Sequence, residues 1–316
     1  MKFAKSIFVT DMKTEAKGLV PSPVAAKALR EKAVYGQPIE VADGIQVILA
    51  DNAKDYTGPG TNTYLVGEDT LWVIDPGPND AVHLSAVIDA VDGREVEGIL
   101  VTHNHLDHSP AAAPLSEKLG APVFGYGGLP EEILHASDED IDPDFVPNHA
   151  LMGGEKIGSG RWRLQVIHTP GHFPNHLCYW LPEVGIIFTG DHVMGWSTTV
   201  IVPPLGNLPD YMDSLDLLAA TGAVRLMPSH GDPVDDAQSR ISEVRAHRMM
   251  RQAQVEECLH QGMHCPKSIV SELYEGLTPR LLQAAEGCVQ AHIDMYHSRR
   301  SQAERFELAA GNPAHQ

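Results

Sequence analysis

The sequence predicts a layered α/β fold with a small helical region at its C-terminal end. Three observations lead to this prediction. From Gly44 onward, short apolar runs bounded by glycine and proline are typical of strands. Apolar residues at helical spacing lie between several of these runs, which favours sheets covered by helices. After about residue 235 the strand pattern stops and only helical spacing remains.

The length and composition suit one large domain with additions at both ends. The chain has 316 residues, of which 43% are hydrophobic, so it can fill the core of an α/β domain. We interpret residues 1–40 as an N-terminal arm, 41–238 as the main domain and 239–316 as a helical C-terminal domain. Within the arm, Ser22 and Pro23 indicate the start of a short helix over 24–33.

The predicted elements alternate along the main domain. Strands are predicted in the apolar runs at residues 44–50, 62–67, 70–77, 97–103, 122–126, 162–171, 176–182, 185–191 and 225–231. Helices are predicted around 80–92, 107–119 and 210–221. The C-terminal domain is predicted to contain a long helix through Ile241 and Leu259, a shorter one at 267–274, a third from about 278, and a closing strand pair.

Charge and cysteine content narrow the partners and the compartment. Acidic residues outnumber lysine plus arginine by 42 to 23, and a net charge of -19 disfavours nucleic acid as a partner. The four cysteines are far apart, which fits reduced thiols and argues against a disulfide framework. The N-terminus lacks a signal-peptide core, and no apolar run approaches the roughly 18 residues of a spanning helix. We therefore expect a cytoplasmic protein without a membrane partner, and homo-oligomer formation stays open.

The segment VTHNHLDHS at residues 101–109 is the densest group of metal-ligand residue types. His103, His105, Asp107 and His108 follow a predicted strand. Imidazole and carboxylate groups suit zinc and related divalent ions, and a loop after a strand can bring several side chains to one point. Chance would place this H-x-H-x-D-H spacing in roughly two of a thousand such chains, so we predict a metal site rather than a surface cluster.

Three later segments repeat the layout of a strand followed by a ligand residue. They are TPGH with His172, TGD with Asp191, and SHG with His230. Each is weak alone, because a loop histidine is usually solvated and an aspartate after glycine usually forms a turn. Together with the first segment they predict one ligand set.

In this order the motifs resemble the metallo-β-lactamase superfamily over about residues 44–235, which implies an αββα sandwich. The resemblance implies that His103, His105 and His172 hold a first metal ion, that Asp107, His108 and His230 hold a second, and that Asp191 bridges them. It also implies that Asp75, in VIDPG, lies close behind the ligands.

The resemblance extends beyond the metal motifs. The segments GTNTYLVG, GDHVMGWSTT, DYMDSL and HRMMRQAQVEECL resemble the branch called β-lactamase-like protein 2. That branch carries a winged-helix-like C-terminal domain, and endoribonucleases are among its members. The resemblance therefore implies a small helical winged-helix-like domain over residues 239–316.

The ligand set predicts a dinuclear metal-dependent hydrolase. Two divalent ions lower the pKa of a shared water, so that a bridging hydroxide exists at neutral pH. Asp107 can orient that hydroxide and pass a proton to the leaving group. Zinc is the expected metal, although iron or manganese also suit these ligands. A mononuclear site would leave Asp107, His108 and His230 unexplained.

The substrate is predicted less sharply than the metal site. The acidic charge and the lack of an export signal favour a small-molecule substrate that is an ester, a thioester or a lactone. An endoribonuclease is the alternative, with β-lactam hydrolysis as a side activity, and a non-catalytic role for the metals is a third hypothesis. RNA binding would use Arg245, Arg248 and Arg251, with Arg280, Arg299 and Arg300 nearby. We interpret these arginines instead as a solvated or salt-bridged face because many glutamates share the segment.

Further residues are candidates for the second layer or the substrate pocket. His192 follows Asp191 directly, Trp196 lies in the same loop, and Tyr211 at a helix start could donate a hydrogen bond to a substrate oxygen. The remaining histidines have no ligand spacing and are interpreted as residues without a role in the site; they include His176, His247 and His292.

Overall fold

The computed structural model describes residues 27, 30–130, 132 and 140–310, with the side chains of 303–310 left out. Most of the predicted arm, including most of its predicted helix at 24–33, lies outside the described residues. None of the helices within the described ranges is long and apolar enough to cross a membrane.

In the part of the chain that the structure describes, twelve strands form two sheets. The first sheet contains β1 (Pro38–Ala42), β2 (Ile45–Leu49), β3 (Asn62–Gly67), β4 (Thr70–Ile74), β5 (Glu95–Leu100), β6 (Val123–Gly125) and β7 (His149–Ala150), paired in that order. The second sheet contains β8 (Lys156–Ile157), β9 (Leu164–His168), β10 (Leu177–Leu181), β11 (Ile186–Gly190) and β12 (Arg225–Pro228), also paired in order.

Strand direction changes within each sheet. Strands β1 to β4 are antiparallel to their neighbours, whereas β4 to β7 run parallel. In the second sheet β8 to β11 are antiparallel and β11 pairs with β12 in parallel. The β3–β4 turn requires Gly67, because its φ is 135° and an added Cβ would lie 2.0 Å from the carbonyl oxygen of Thr70.

Helices cover both outer faces of the sheet pair. The helices are α1 (Ala81–Val91), α2 (Ala112–Leu119), α3 (Leu208–Ala220), α4 (Ala237–His260), α5 (Pro266–Leu273) and α6 (Pro279–Ala310). Leu65 and Val73 of the first sheet pack with Val87 of α1 and Leu115 of α2. On the other side, Trp180 of the second sheet belongs to the same core as residues of α3 and α4.

The central core lies between the two sheets. Alternate residues of a strand face opposite sides, so Tyr64 and Val66 face the second sheet while Leu65 faces the helices. Tyr64 contacts Phe188 of β11 with ring centroids 5.1 Å apart. Helix, sheet, sheet and helix layers therefore follow one another, and the predicted αββα sandwich is confirmed.

The C-terminal helices divide their packing between the sandwich and one another. Ile241 and Val244, in the first half of α4, belong to the outer core of the second sheet. Val255 in the second half packs with Ile269 of α5 and Val289 of α6. The helical C-terminal region is confirmed, but residues 237–310 contain no strand, so the predicted closing strand pair is wrong for the described part of the chain.

Two further differences concern element boundaries. Strands β1, β7 and β8 were not predicted from the sequence, and β1 begins at Pro38 within the predicted arm. The helix predicted from residue 107 begins at Ala112 instead, because residues 105–111 form turns. The ligand loop after β5 is therefore longer than the sequence indicated.

Candidate metal centre

The predicted ligands lie in loops that follow four strands. Strands β5, β9, β11 and β12 end at Leu100, His168, Gly190 and Pro228. The ligand candidates follow these strand ends along the chain. Their ligand atoms form three groups, and within each group all the atoms lie within 4.8 Å of one another. The groups are His103, His105 and His172; Asp107, His108 and His230; and His103, His108 and Asp191. The fold thus brings all seven residues to one place.

The first group consists of three histidines. Nε2 of His103 lies 2.9 Å from Nδ1 of His105. Nδ1 of His103 lies 3.0 Å from the Thr102 hydroxyl, and Nδ1 of His172 lies 2.6 Å from the carbonyl oxygen of Val200. Because Nδ1 is engaged outside the site in both rings, Nε2 is the nitrogen available to an ion.

The second group contains two histidines and a carboxylate. Oδ2 of Asp107 lies 3.2 Å from Nε2 of His230 and 3.5 Å from Nε2 of His108. Two donors that bind one zinc ion tetrahedrally at its usual bond lengths are about 3.3 Å apart. These spacings are therefore compatible with two ligands of a shared ion. Nδ1 of His230 lies 3.0 Å from the carbonyl oxygen of Gly60, which orients that ring.

Asp191 lies between the two groups. Its Oδ1 is 3.2 Å from Nε2 of His230 and 3.6 Å from Nε2 of His108. Its Oδ2 is 3.8 Å from Nε2 of His172. One carboxylate oxygen thus faces each group, which is the arrangement that a bridging ligand requires.

Asp75 lies behind the ligands and is fully buried. Its Oδ2 is 2.8 Å from Nδ1 of His108 and accepts hydrogen bonds from the hydroxyls of Thr102 and Ser229 at 2.8 and 2.6 Å. Its Oδ1 accepts from the backbone N–H of Thr102. Asp75 therefore turns Nε2 of His108 toward the other ligands.

The charges of the site show that it suits cations. Burial lowers the pKa of His230, but Asp191 and Asp107 outweigh this effect and raise that pKa to about 10. Burial also lowers the pKa of His108, yet Asp107, Asp191 and Asp75 raise it well above its usual value. Within the described part of the chain, Nε2 of His108 and Oδ1 of Asp191 are buried without a hydrogen bond. Divalent ions would supply the missing contacts, so the residues present fit a metal site.

His176 is part of the surroundings of the site, although its spacing gave no prediction of this role. It is fully buried, and its ring centroid lies 5.0 Å from that of His103. Its Nε2 accepts a hydrogen bond from the backbone N–H of Asp191 at 3.2 Å. The interpretation of His176 as a bystander is therefore wrong. The available signal was its place four residues after His172, in the segment TPGHFPNH.

Asn62 is a second residue that the sequence analysis missed. Its side-chain amide donates to the carbonyl oxygens of Pro228 and Gly231 at 2.9 and 2.8 Å. These residues flank His230, so Asn62 fixes the loop that carries this ligand candidate. The residue lies inside the quoted segment GTNTYLVG, where a polar residue in a buried strand was the signal.

The predicted pocket residues differ in their positions. Trp196 packs against the backbone near His230, since a Cβ added at Gly231 would lie 2.7 Å from its ring. His192 is fully buried and packs on Tyr211 with ring centroids 4.4 Å apart. The Tyr211 hydroxyl donates to the carbonyl oxygen of His192 at 2.7 Å. Tyr211 is itself fully buried, so the expectation that its hydroxyl meets a substrate oxygen is wrong.

The arginines of α4 also differ from their predicted setting. Arg245 is exposed and pairs with Asp216 at 2.8 Å, as expected of a salt-bridged face. Arg248 and Arg251 are only 4% exposed, so the interpretation of these two as a solvated face is wrong. An exposed three-arginine surface for RNA is therefore not present on this helix.

Comparison with known proteins agrees with this geometry. Residues 56–230 match the family model described as the metallo-beta-lactamase superfamily. The chain is 31% identical over 237 residues to a protein of Caenorhabditis elegans named beta-lactamase-like protein 2 homolog, covering 71% of this chain and 74% of that protein. It is 30% identical over 225 residues to an atrochrysone carboxyl ACP thioesterase of Aspergillus chevalieri, with 68% of this chain and 65% of that protein covered.

Solved structures show the same fold. A beta-lactamase domain protein from Burkholderia ambifaria aligns with a TM-score of 0.69 at 21% identity, covering 90% of this chain and 92% of its own. A metallo-beta-lactamase family protein from Thermus thermophilus aligns with a TM-score of 0.65 at 24% identity, covering 82% of this chain and 95% of its own. At these identities the likeness concerns the fold alone.

Proposed function

The chain belongs to the metallo-beta-lactamase superfamily and is a hydrolase, and on that premise we propose that it uses two divalent ions, with zinc as the expected metal, to hydrolyse a small ester, thioester or lactone. The observation that carries the dinuclear part is the placement of Asp191. Its two oxygens face different histidines, with Oδ1 near His230 and Oδ2 near His172. A mononuclear site would need only one of these contacts.

We assign the ligand residues to two ions, with three residues for each ion and one shared between them. His103, His105 and His172 are proposed to bind one ion, and Asp107, His108 and His230 the other, with Asp191 shared. Two ions held there would activate a water molecule at neutral pH and polarise the substrate oxygen. The surrounding protein keeps the histidine rings fixed through Asp75, Thr102 and the carbonyl oxygens of Gly60 and Val200.

Asp107 is the carboxylate best placed to move a proton. Its side chain is 25% exposed, whereas that of Asp191 is 9% exposed and that of Asp75 is fully buried. Only a group open to the substrate can receive a proton from the attacking water and deliver it to a leaving group. Burial raises the pKa of Asp107, but His108 and His230 hold it well below its usual value, so the side chain is an ionised carboxylate at neutral pH.

The acyl substrate class is supported by charge and by similarity. One relative is named atrochrysone carboxyl ACP thioesterase. An RNA substrate would need an exposed cationic surface against a net charge of -19, and Arg248 and Arg251 are buried. A carbonyl substrate requires no such surface.

Metal analysis tests the dinuclear part. Protein exchanged against zinc is expected to carry close to two ions per chain. Asp191→Ala should lose both ions, whereas His230→Ala should mainly weaken the second. Asp89→Asn, an exposed carboxylate on α1, is the matched control and should keep both. A plateau at one ion in excess zinc would defeat the dinuclear proposal.

A substrate panel tests the reaction class. Metal-loaded protein is assayed with thioesters, lactones, aryl esters, β-lactams and single-stranded RNA. We expect the highest kcat/KM on an ester, lactone or thioester. Faster turnover of RNA than of every acyl substrate, lost in Asp107→Asn, would overturn the acyl proposal.

A further inference from the structure

Helix α4 carries two buried cations that no carboxylate of the described residues neutralises. Arg248 donates from Nη2 to the carbonyl oxygen of Thr199, and Arg251 donates from Nη1 to Oε1 of Gln254 at 2.8 Å. Nε of each arginine is buried without a hydrogen bond. Across the described ranges neither guanidinium forms an ion pair. The nearby Glu256 accepts its hydrogen bond from Gln252 instead.

Two buried histidines accompany these cations. His247 is buried with neither ring nitrogen in a hydrogen bond among the described residues. His292 uses Nδ1 on the side chain of Gln252, and its buried Nε2 likewise has no hydrogen bond there. Burial, followed by the charges of Arg248 and Arg251, lowers the pKa of His247 to about 3 and that of His292 well below its usual value. We call Arg248, Arg251, His247 and His292 the arginine cluster.

Aromatic rings support the cluster without neutralising it. The Arg248 guanidinium lies 5.1 Å from the ring centre of Tyr211, and that of Arg251 lies 4.3 Å from the ring centre of Tyr274. Such contacts attract a cation but do not supply a negative charge. Buried charges in proteins are normally paired, and planar guanidinium groups match the oxygens of carboxylates and phosphates in pairs of hydrogen bonds. The missing partner is therefore an oxyanion.

The arginine cluster and the metal centre share one loop. Thr199, which accepts from Arg248, is followed by Val200, whose carbonyl oxygen lies 2.6 Å from Nδ1 of His172. Tyr211, which lies against Arg248, donates to the carbonyl oxygen of His192 next to Asp191. One loop therefore connects Arg248 to the group that orients His172, a proposed metal ligand.

We propose that Arg248 and Arg251 form an anion-binding subsite, which holds a carboxylate or phosphate group of the acyl substrate while its carbonyl group is at the metal centre. The assignment of this anion to a substrate rests on the proposed hydrolase function. The binding of an oxyanion by the arginine cluster does not rest on that function, because it is inferred from the unpaired charges alone.

Anion binding is tested without turnover, using sulfate and the metal-loaded full chain. The unfolding midpoint of the parent should rise with a saturable dependence on sulfate concentration. Arg248→Met and Arg251→Met should lose the saturable part. Arg245→Met is the matched control, since Arg245 is on the same helix but exposed and paired with Asp216, and it should respond as the parent does. Equal curves in all four proteins would overturn the subsite.

The source of the anion is tested with matched substrates. Aryl succinate and aryl butyrate esters differ by a terminal carboxylate, and butyryl thioesters of coenzyme A and of N-acetylcysteamine differ by the phosphates. Arg248→Met and Arg251→Met should raise KM at least about tenfold for the anionic member of one pair, and less than about twofold for its neutral partner. Arg248→Lys should raise KM for the anionic substrate less than Arg248→Met does, because lysine keeps the positive charge but lacks the planar set of donors.

The outcomes separate the two proposals. One outcome is saturable sulfate binding that needs the arginines, together with equal KM changes for the anionic and neutral members of both pairs. This outcome would show that a free anion occupies the subsite, and it would overturn the assignment of the anion to the substrate. Sulfate binding in a metal-loaded protein that hydrolyses no acyl substrate would support the subsite and would contradict the proposed function.

Discussion

The metal centre and the arginine cluster are two buried polar regions of opposite charge, and the segment Thr199–Val200 contacts both. The metal centre holds three buried or half-buried carboxylates, those of Asp75, Asp107 and Asp191. The arginine cluster holds two buried cations with no carboxylate among the described residues. Both arrangements cost folding free energy unless an ion of opposite charge is bound. Each region therefore suits a ligand of opposite charge, a cation in the metal centre and an oxyanion in the arginine cluster.

The two regions also differ in how firmly their histidines are held. In the metal centre, Nδ1 of His108 lies against Asp75 and Nδ1 of His230 against the carbonyl oxygen of Gly60. In the arginine cluster, His247 makes no ring hydrogen bond within the described part of the chain. Fixed rings favour one coordination geometry, whereas an unheld ring can adjust to ligands of different shape.

The largest effect is expected from a substitution that removes the proton-transfer group of the metal centre and keeps the shape of the side chain. Asp107→Asn should lower kcat by about a thousandfold, because an amide cannot take a proton from water or deliver one to a leaving group. At least one metal ion should remain bound. Steady-state kinetics at measured metal content check this, with Asp89→Asn as the exposed control. Activity within tenfold of the parent would remove Asp107 from the proton-transfer role.

A smaller effect is expected from the support behind the ligands. Asp75→Asn replaces a carboxylate that accepts from Thr102 and Ser229 and lies against His108. The tautomer and direction of the His108 ring would no longer be fixed, so metal affinity should fall roughly 10- to 100-fold. Competition with a chelator measures the dissociation constant. Ser229→Ala removes only one of these contacts and should change the dissociation constant of the metal less. Equal metal affinities in both variants and the parent would contradict the role of Asp75 in fixing the His108 ring.

Much of the metal centre could be predicted because its signal is local. The spacing of His103, His105, Asp107 and His108 lies within one short segment, and strand ends bring the remaining candidates together. The role of His176 was missed because its contact with Asp191 depends on how two strands pair. The burial of Arg248 and Arg251 was missed because charged residues on a helix usually face water, and only tertiary contacts such as those with Tyr211 and Tyr274 reverse this.

Strands and helices were predicted correctly from the sequence where their apolar runs are long enough to indicate the element. Strands such as β3 and β10 are buried along their whole length and gave clear signals. Strand β7 has only two residues and β1 has five, so neither is long enough for a clear apolar alternation. The start of α2 was misplaced because polar ligand residues in a turn resemble the first turn of a helix.

The arginine cluster predicts a pH dependence of stability that the metal centre does not share. The folded-state pKa of His247 is about 3, against a usual value of 6.5, because of burial and the charges of Arg248, Arg251 and Arg240. Between these pH values the unfolded chain binds a proton that the folded chain does not, so stability is retained above 6.5 and falls as pH is lowered.

Removing that imidazole should therefore weaken the pH dependence. In the parent, His247 should contribute a loss of about 1–2 kcal/mol between pH 7 and pH 5. Denaturant titration of His247→Leu at these two pH values should show a loss smaller by this amount. His264→Leu, in the exposed loop between α4 and α5, is the control and should keep the parent's slope. An unchanged slope in His247→Leu would show that the pKa of His247 is the same in the folded and the unfolded chain, and would contradict this prediction.

The smallest expected effect concerns a nucleophile that the proposed chemistry does not need. Cys178 is fully buried in the core between the second sheet and its helices, and burial raises the pKa of its thiol to about 12. A thiol that stays protonated and inaccessible cannot attack a carbonyl group. Cys178→Ala should therefore retain kcat/KM within about twofold at full metal content, although the lost buried sulfur should lower stability by about 1 kcal/mol. Ser109→Ala tests a hydroxyl of the ligand loop in the same way, since its Oγ already donates to Asp142. Loss of activity with intact metal content in either variant would point to a covalent intermediate and would replace the metal-activated water by a side-chain nucleophile.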